Sequence, residues 1–195
     1  MAYLRFLVGY LVLALGALPL CVLLVLLLPF RVARIRWGLA CGAWICRGVL
    51  ACLGIKVVID GTDPRDLAPA IFVGNHSSTL DLFLFAVSVP VGTTVVVKKE
   101  IVVVPIVGQI AWLSGNLLID RGNLERAKDG LSDVATMVKK YGLSLFIMPE
   151  GTRSHSNEIQ IFKRGFVHLA IATGLPVVPL VFHGAARRWP MGSFR

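Results

Sequence analysis

The sequence predicts an α/β fold, a mixed, mostly parallel sheet flanked by helices, preceded by an N-terminal hydrophobic membrane-anchoring helical region. Three observations point there. The first 55 residues are almost continuously apolar, short apolar runs then alternate with longer mixed segments, and polar clusters recur where those runs stop. Such alternation is the rhythm of βα units. In an open α/β sheet the ligand crevice lies at the carboxyl ends of the strands, where these clusters would fall.

A chain of 195 residues suffices for one domain with a sizeable core plus a small appendage. The expected division is residues 1–55 as anchoring helices and 56–195 as the domain that carries the chemistry. At 56% hydrophobic and 16% charged residues, the chain is more apolar than an ordinary soluble domain, which points to membrane association. The formal net charge is +9, and both parts are basic: six Lys/Arg against one acid in residues 1–60, then fourteen against ten.

Residues 6–30 hold no charge, a 25-residue stretch long enough as a helix to cross a hydrocarbon core of about 30 Å. Arg31, Arg34 and Arg36 come at once after it, and this excess places the rest of the chain on the cytoplasmic side. A cleaved signal peptide fits less well, because the run is long and no clear small-residue cleavage site succeeds it. A second stretch, 37–55, is broken by Arg47 and dotted with Gly38, Gly42, Gly48 and Gly54, as suits close helix packing or an interfacial helix. Pro19 falls inside the first stretch, so a hairpin dipping into one leaflet competes with a true span. Cys21, Cys41, Cys46 and Cys52 form no C-x-x-C pair and read as small apolar packing residues.

After the turn-rich Asp60-Gly61-Thr62-Asp63-Pro64 the pattern alternates, and candidate strands are 56–59, 71–74, 93–97, 117–119, 143–148 and 177–182. Helices are expected near 80–89, 105–113, 124–140 and 163–173. The residues just beyond each strand carry the chemistry. The run 71–74 leads into Asn75 and His76, 93–97 into Lys98, Lys99 and Glu100, 117–119 into Asp120 and Arg121, and 143–148 into Glu150 and Arg153. With parallel strands a base, an acid and several cations meet at one edge. The cations imply an anionic substrate group, most plausibly a phosphate, which Arg grips in bidentate fashion and Lys as a point charge.

These residues resemble the 1-acyl-sn-glycerol-3-phosphate acyltransferase (lysophosphatidate acyltransferase) family of glycerolipid acyltransferases. The family's H-x-x-x-x-D box matches His76 to Asp81, its glycerol-phosphate-binding segment Gly115-Asn116-Leu117-Leu118-Ile119-Asp120-Arg121, and its P-E-G-T-R-S box Pro149 to Ser154. Lys98-Lys99-Glu100-Ile101 resembles its K-x-E-L, Phe162-Lys163-Arg164-Gly165 its F-K-x-G, and Leu175-Pro176-Val177-Val178-Pro179 its late Val-Pro motif. The likeness runs from about Ile71 to Gly184 with the boxes in the family's order. Ser77 stands where Gln is common, and Met148 where an aromatic is common.

The resemblance implies transfer of a fatty acyl group from acyl-CoA or acyl carrier protein to the free hydroxyl of 1-acyl-glycerol-3-phosphate, giving phosphatidate. It implies no cofactor beyond the acyl donor substrate, and as partners the bilayer, the lysophosphatidate and the donor, with acyl carrier protein as one candidate. It carries the substrate-binding role to Lys98, Lys99, Gly115, Asn116, Arg121, Glu150, Gly151, Thr152 and Arg153. Alternatives are another acceptor, such as a lyso-ornithine lipid or other lysophospholipid, and a catalytically idle lipid-binding adaptor.

Chemistry supports the first assignment independently. Acyl transfer to a hydroxyl needs a base, and a neutral imidazole, with an unperturbed pKa near 6.5, suits that task near neutrality. His76 is the expected base and Asp81 the acid that fixes its tautomer, as in a Ser-His-Asp triad. The plain rival makes Asp81 an early-turn acid favoured by the helix dipole, with Ser77 or Ser78 an N-cap. Ser77 or Ser78 as a covalent nucleophile is a further rival, whereas the resemblance implies direct transfer. Arg121 has a structural alternative in pairing with Asp120 or Glu125, and Glu150 either binds acceptor hydroxyls or organises the Arg153 loop. His155, His168 and His183 lack a matching acid, no metal-ligand pattern is present, and no aromatic-interleaved basic patch points to nucleic acid.

Overall fold

The computed structural model describes residues 2–119, 124–154 and 158–189. Helix α1 (Ala2–Leu26) continues through Pro19, turns at residues 27–30 and returns as α2 (Arg31–Cys52). Small residues let the two approach. A Cβ on Gly16 would lie 2.7 Å from Ile45 Cγ1, one on Gly48 3.1 Å from Val12, and one on Gly9 3.7 Å from Val49, a register that runs antiparallel. Both helices are long and apolar enough to cross a membrane.

Helix α2 has a second face, and that face belongs to the domain. Ile35 joins the core beneath the sheet, Leu39 and Cys46 the core above it, and Leu50 a third cluster with Leu80 and Leu84. The expected division at residue 55 is therefore one of composition and not of packing. The arginines at the start of α2 are also engaged: Arg31 Nε donates to Gly115 O at 3.1 Å, Arg34 Nη1 to Leu113 O at 2.7 Å and Arg36 Nη2 to Tyr141 O at 3.5 Å.

Five strands come after the hairpin, β1 (Ile71–Gly74), β2 (Thr93–Lys98), β3 (Leu117–Ile119), β4 (Ser144–Ile147) and β5 (Val177–Leu180), in the order β3-β2-β4-β1-β5, with every pairing among the described residues parallel. Helices α3 (Asp81–Ser88), α4 (Val107–Leu113), α5 (Leu124–Tyr141) and α6 (Gly165–Thr173) are the crossovers, and a short α7 (Ala185–Arg188) succeeds β5. The central strands β1 and β4 are buried at every position, which is why they read as continuous apolar runs. Their side chains alternate between two cores. Ile71, Val73, Leu145 and Ile147 face Val134 and Val138 of α5 and Leu169 of α6, while Phe72 and Phe146 face Leu39 of α2 and Ala86 of α3.

One expected strand is absent. Residues 56–59 have no pairing and instead border an open groove of about 830 Å³ whose other wall is β5. The edge of β1 is taken by β5, paired from Ile71–Val177 to Gly74–Leu180, and residues 56–59 stand exposed across the groove from the outer edge of β5 without pairing to it. In the linker beyond them, Asp63 caps the turn Pro64–Leu67, and its hydrogen bonds with Arg65 pull its carboxyl down to about 2.

Candidate active site

Strand β1 delivers the site. It ends at Gly74, where a Cβ would sit 2.8 Å from Phe146 Cζ and 3.3 Å from Phe182, so only glycine lets the chain leave between those rings. Asn75 then ties this exit to the end of β5. Its Oδ1 accepts from Phe182 N at 2.7 Å and its Nδ2 donates to Phe182 O at 3.4 Å.

His76 comes next, half-buried, and its Nδ1 lies 2.9 Å from Oδ2 of Asp81, the first residue of α3. That single oxygen also accepts the backbone N–H groups of Ser77 at 2.7 Å and Ser78 at 2.8 Å. A carboxylate only accepts, so Nδ1 carries the proton and Nε2 presents its lone pair. The Asp81 side chain is wholly buried, with three donors converging on Oδ2. Asp81 stands in the first turn of α3, as the plain rival expects, and also closes the loop onto the histidine. Ser78 Oγ is engaged as well, donating to Trp189 O at 2.6 Å and accepting from Leu80 N at 3.1 Å. Such a hydroxyl is poorly placed to act as a nucleophile.

Strand β4 brings the second box alongside. Val95 is level with Phe146 and Phe146 with Phe72, so Lys98, Pro149 and Asn75 each stand three residues further along their strands, at the same carboxyl edge. The chain turns there, with Gly151 N donating to Met148 O at 3.1 Å and Gly151 at φ 73°, a conformation that favours glycine. Lys163 N reaches Pro149 O at 2.9 Å, which docks the F-K-x-G segment onto the box. Arg153 is half-buried and its Nη1 donates to Thr79 Oγ1 at 2.8 Å, inside the histidine loop. Thr152 is exposed beside it.

Glu150 is buried, 3% exposed, with Oε1 accepting His76 N at 2.7 Å and Oε2 accepting Gln160 N at 3.0 Å. Lys98 is exposed, with Nζ 3.5 Å from Glu100 Oε1, and Lys99 is exposed next to it. Arg121, like Asp120 and His155, lies outside the described residues.

Two expected contact residues are placed elsewhere. Gly115 and Asn116 precede β3, which puts them towards the amino end of the sheet, whereas His76 lies beyond the carboxyl end of β1. Their polar groups are taken up by the fold: Asn116 Oδ1 accepts Val95 N at 3.1 Å, its Nδ2 donates to Ala111 O at 3.2 Å, and Gly115 O accepts from Arg31. The segment that precedes β3 thus ties sheet and hairpin together, while Asn116 also borders the apolar cavity that reaches Thr79.

Sequence reasoning named Asn75 without giving it a role and passed over Thr79, Gln160 and Trp189. Asn75 had a signal in its position between strand and histidine; Gln160, between two isoleucines, had none. Also unforeseen is an apolar cavity of about 310 Å³, walled by Leu39 and Gly42 of α2, Phe83 of α3, Val95 of β2 and Ile110 of α4. Thr79 and Trp189 line it too, so it reaches the catalytic loop. Among the described residues no group of three or more His, Cys, Asp or Glu is arranged to hold a metal.

The family model described as Acyltransferase matches residues 56–183, about two thirds of the chain. The chain belongs to the acyltransferase family. Its relatives in the family include the 1-acyl-sn-glycerol-3-phosphate acyltransferase of Cocos nucifera, 39% identical over 173 residues, covering 89% of this chain and 56% of the relative. That of Escherichia coli (strain K12) is 39% identical over 119 residues, covering 61% of this chain and 49% of the relative. The chain thus spans about half the length of the curated acyltransferases it matches. The crystal structure of the 1-acyl-sn-glycerophosphate (LPA) acyltransferase from Thermotoga maritima superposes with a TM-score of 0.71 at 24% identity, covering 100% of this chain and 80% of that one, a likeness of fold.

Proposed function

We propose that the protein moves a fatty acyl group from an acyl thioester, acyl-CoA or acyl carrier protein, to the free hydroxyl of 1-acyl-glycerol-3-phosphate, making phosphatidate at a membrane surface. The observation that carries this is the His76–Asp81 pair, whose tautomer leaves Nε2 as a base while the nearby Ser78 hydroxyl is bonded elsewhere. The hydroxyl of the acceptor takes the place a serine has in a triad. Its oxygen attacks the thioester carbonyl while Nε2 removes its proton. The tetrahedral intermediate collapses with loss of the thiolate, the C–S bond breaks, and the imidazolium returns the proton to sulfur. Asp81 stays ionised throughout and stabilises the imidazolium.

Arg153 is the principal phosphate ligand in this reading, with Lys98, Lys99, Gly151 and Thr152 at the same edge and Arg121 a further candidate by its motif. Supporting it, Arg153 is fixed beside the histidine loop and Lys98 stands in the same row as Asn75. The 310 Å³ apolar cavity, which Thr79 of the histidine loop borders, is the place this reading gives to acyl chain. Names carried by the relatives support the acceptor.

The membrane attachment is the hairpin. Leu4, Leu7, Leu11, Leu15, Leu18 and Val22 form one exposed stripe along α1, and Trp44 stands 77% exposed on α2. Because α2 lies along the domain with its other face, we place the hairpin within one leaflet, with the catalytic domain on the cytoplasmic face in accord with the basic residues at the start of α2.

The test is direct. The full chain in detergent is given acyl-CoA or acyl carrier protein thioester with a panel of lysolipids, thiol release is monitored and the product identified by mass. Phosphatidate from lysophosphatidate is expected. Turnover only with another lysolipid would replace the acceptor, and no thiol release with any of them would leave the idle adaptor.

A further inference from the structure

We infer that Glu150 is a positioning residue that holds the base His76 through its backbone, and that it does not touch the acceptor. The inference rests on the acyl-transfer reading for its kinetic consequences and on geometry alone for the brace itself.

Both carboxylate oxygens are already committed. Oε1 accepts the N–H of His76 at 2.7 Å and Oε2 the N–H of Gln160 at 3.0 Å, and the residue is 3% exposed. A carboxylate so covered has no face to offer a sugar-like hydroxyl, while its removal would leave two part-buried donors without their acceptor. The grip on His76 is two-sided. Its carbonyl accepts Ser154 N at 2.8 Å, so the same loop that supplies Glu150 bonds the N–H and the C=O of one residue. Gln160 closes the loop on itself, its Nε2 donating to Arg153 O at 3.2 Å.

Three contacts then define where the imidazole points. The backbone is fixed at N–H by Glu150 and at C=O by Ser154, and the ring at Nδ1 by Asp81. With those held, Nε2 has one direction left, towards the acceptor hydroxyl. A base held in register is worth far more than a base merely nearby, since a displacement of about 1 Å costs about 100-fold in rate. The box that resembles a substrate-binding motif thus divides its labour: Arg153 faces the ligand, and Glu150 faces the base.

The test uses the full chain in detergent with Glu150→Ala and the closer isostere Glu150→Gln. Steady-state kinetics with lysophosphatidate and acyl-CoA are combined with hydrogen exchange of the peptide covering residues 75–80. For Glu150→Ala we expect kcat to fall about 100-fold, KM for lysophosphatidate to stay within about twofold, and the loop amides to exchange faster. Glu150→Gln keeps one acceptor oxygen, so it should restore part of kcat, again without change in KM. A rise in KM with kcat preserved in either variant overturns the proposal and returns Glu150 to the acceptor site. Unchanged exchange in the loop overturns it equally. Should Glu150→Ala fail to fold, Glu150→Gln carries the same split between kcat and KM. A wild-type chain without transferase activity would refute the acyl-transfer reading, while the exchange measurement still decides whether Glu150 braces the loop.

Discussion

Arg153 and Thr79 are 74 residues apart in sequence and joined in the fold by one hydrogen bond, Nη1 donating to Oγ1 at 2.8 Å. The bond fixes a cation two residues ahead of Asp81, on the loop that carries the base. A guanidinium has donors left after such an anchor, so Arg153 can hold a phosphate while staying in register with the histidine.

Arg153→Ala should therefore raise KM for lysophosphatidate by more than about tenfold, the loss of a charge-assisted contact. Arg153→Lys should recover only part, having the charge without the fork. Thr79→Val, which removes the anchor and keeps the shape, should raise KM less. The measurement is KM for lysophosphatidate against uncharged monoacylglycerol, and equal losses on both acceptors would remove the phosphate role.

His76→Ala should lower turnover by at least about 10²-fold, the usual share of a general base, with folding and membrane association unchanged. Asp81→Asn should lower it by about 10⁴-fold, the effect of a wrong tautomer in a triad. Here the amide would also face the N–H groups of Ser77 and Ser78, so the loop itself should loosen. Thiol release after purification checks both, and a His76→Ala variant above a tenth of wild type defeats the assignment.

Gly74→Ala should destabilise the protein by about 1–3 kcal/mol, because its methyl would lie 2.8 Å from Phe146 Cζ in a packed core. The ring of Phe146 is itself stacked on Phe85 at 4.7 Å, so it has little room to yield. Thermal unfolding in detergent measures this, and a midpoint equal to wild type would show that the rings move aside.

Asn116→Ala should lower stability by about 1–3 kcal/mol, leaving Val95 N and Ala111 O without their partner, and should leave KM for lysophosphatidate unchanged. A selective rise in KM would instead put Asn116 in the acceptor site.

Leu7→Gln together with Leu11→Gln and Leu15→Gln should weaken vesicle binding without unfolding the domain, since all three lie on the exposed stripe of α1. Sedimentation with vesicles reads this, and undiminished binding would move the attachment to another surface.

Much of the sheet was legible in sequence because its strands are short apolar runs bounded by turns: 71–74 and 117–119 match to the residue. The run 56–59 looked the same locally but stays unpaired across the groove from β5, a matter of tertiary placement that no local pattern carries. The His76–Asp81 bond was legible because both partners lie within one loop. The bracing by Glu150 was not, since its partners are backbone amides, one of them 74 residues distant, and backbone atoms leave no residue type to read. The structural bonds of the glycine and asparagine before β3 were hidden for a related reason: their partners are backbone groups.

Helix α2 gives one face to α1 and the other to three clusters of the domain, with Ile35 and Leu50 almost wholly enclosed. A cut at residue 55 would therefore remove side chains that pack inside the domain. Residues 56–195 alone would lack a wall of their own interior, so the anchor is not a tether that could be exchanged for any other apolar helix. The hairpin that we propose as the attachment is thus also part of the interior of the fold it precedes.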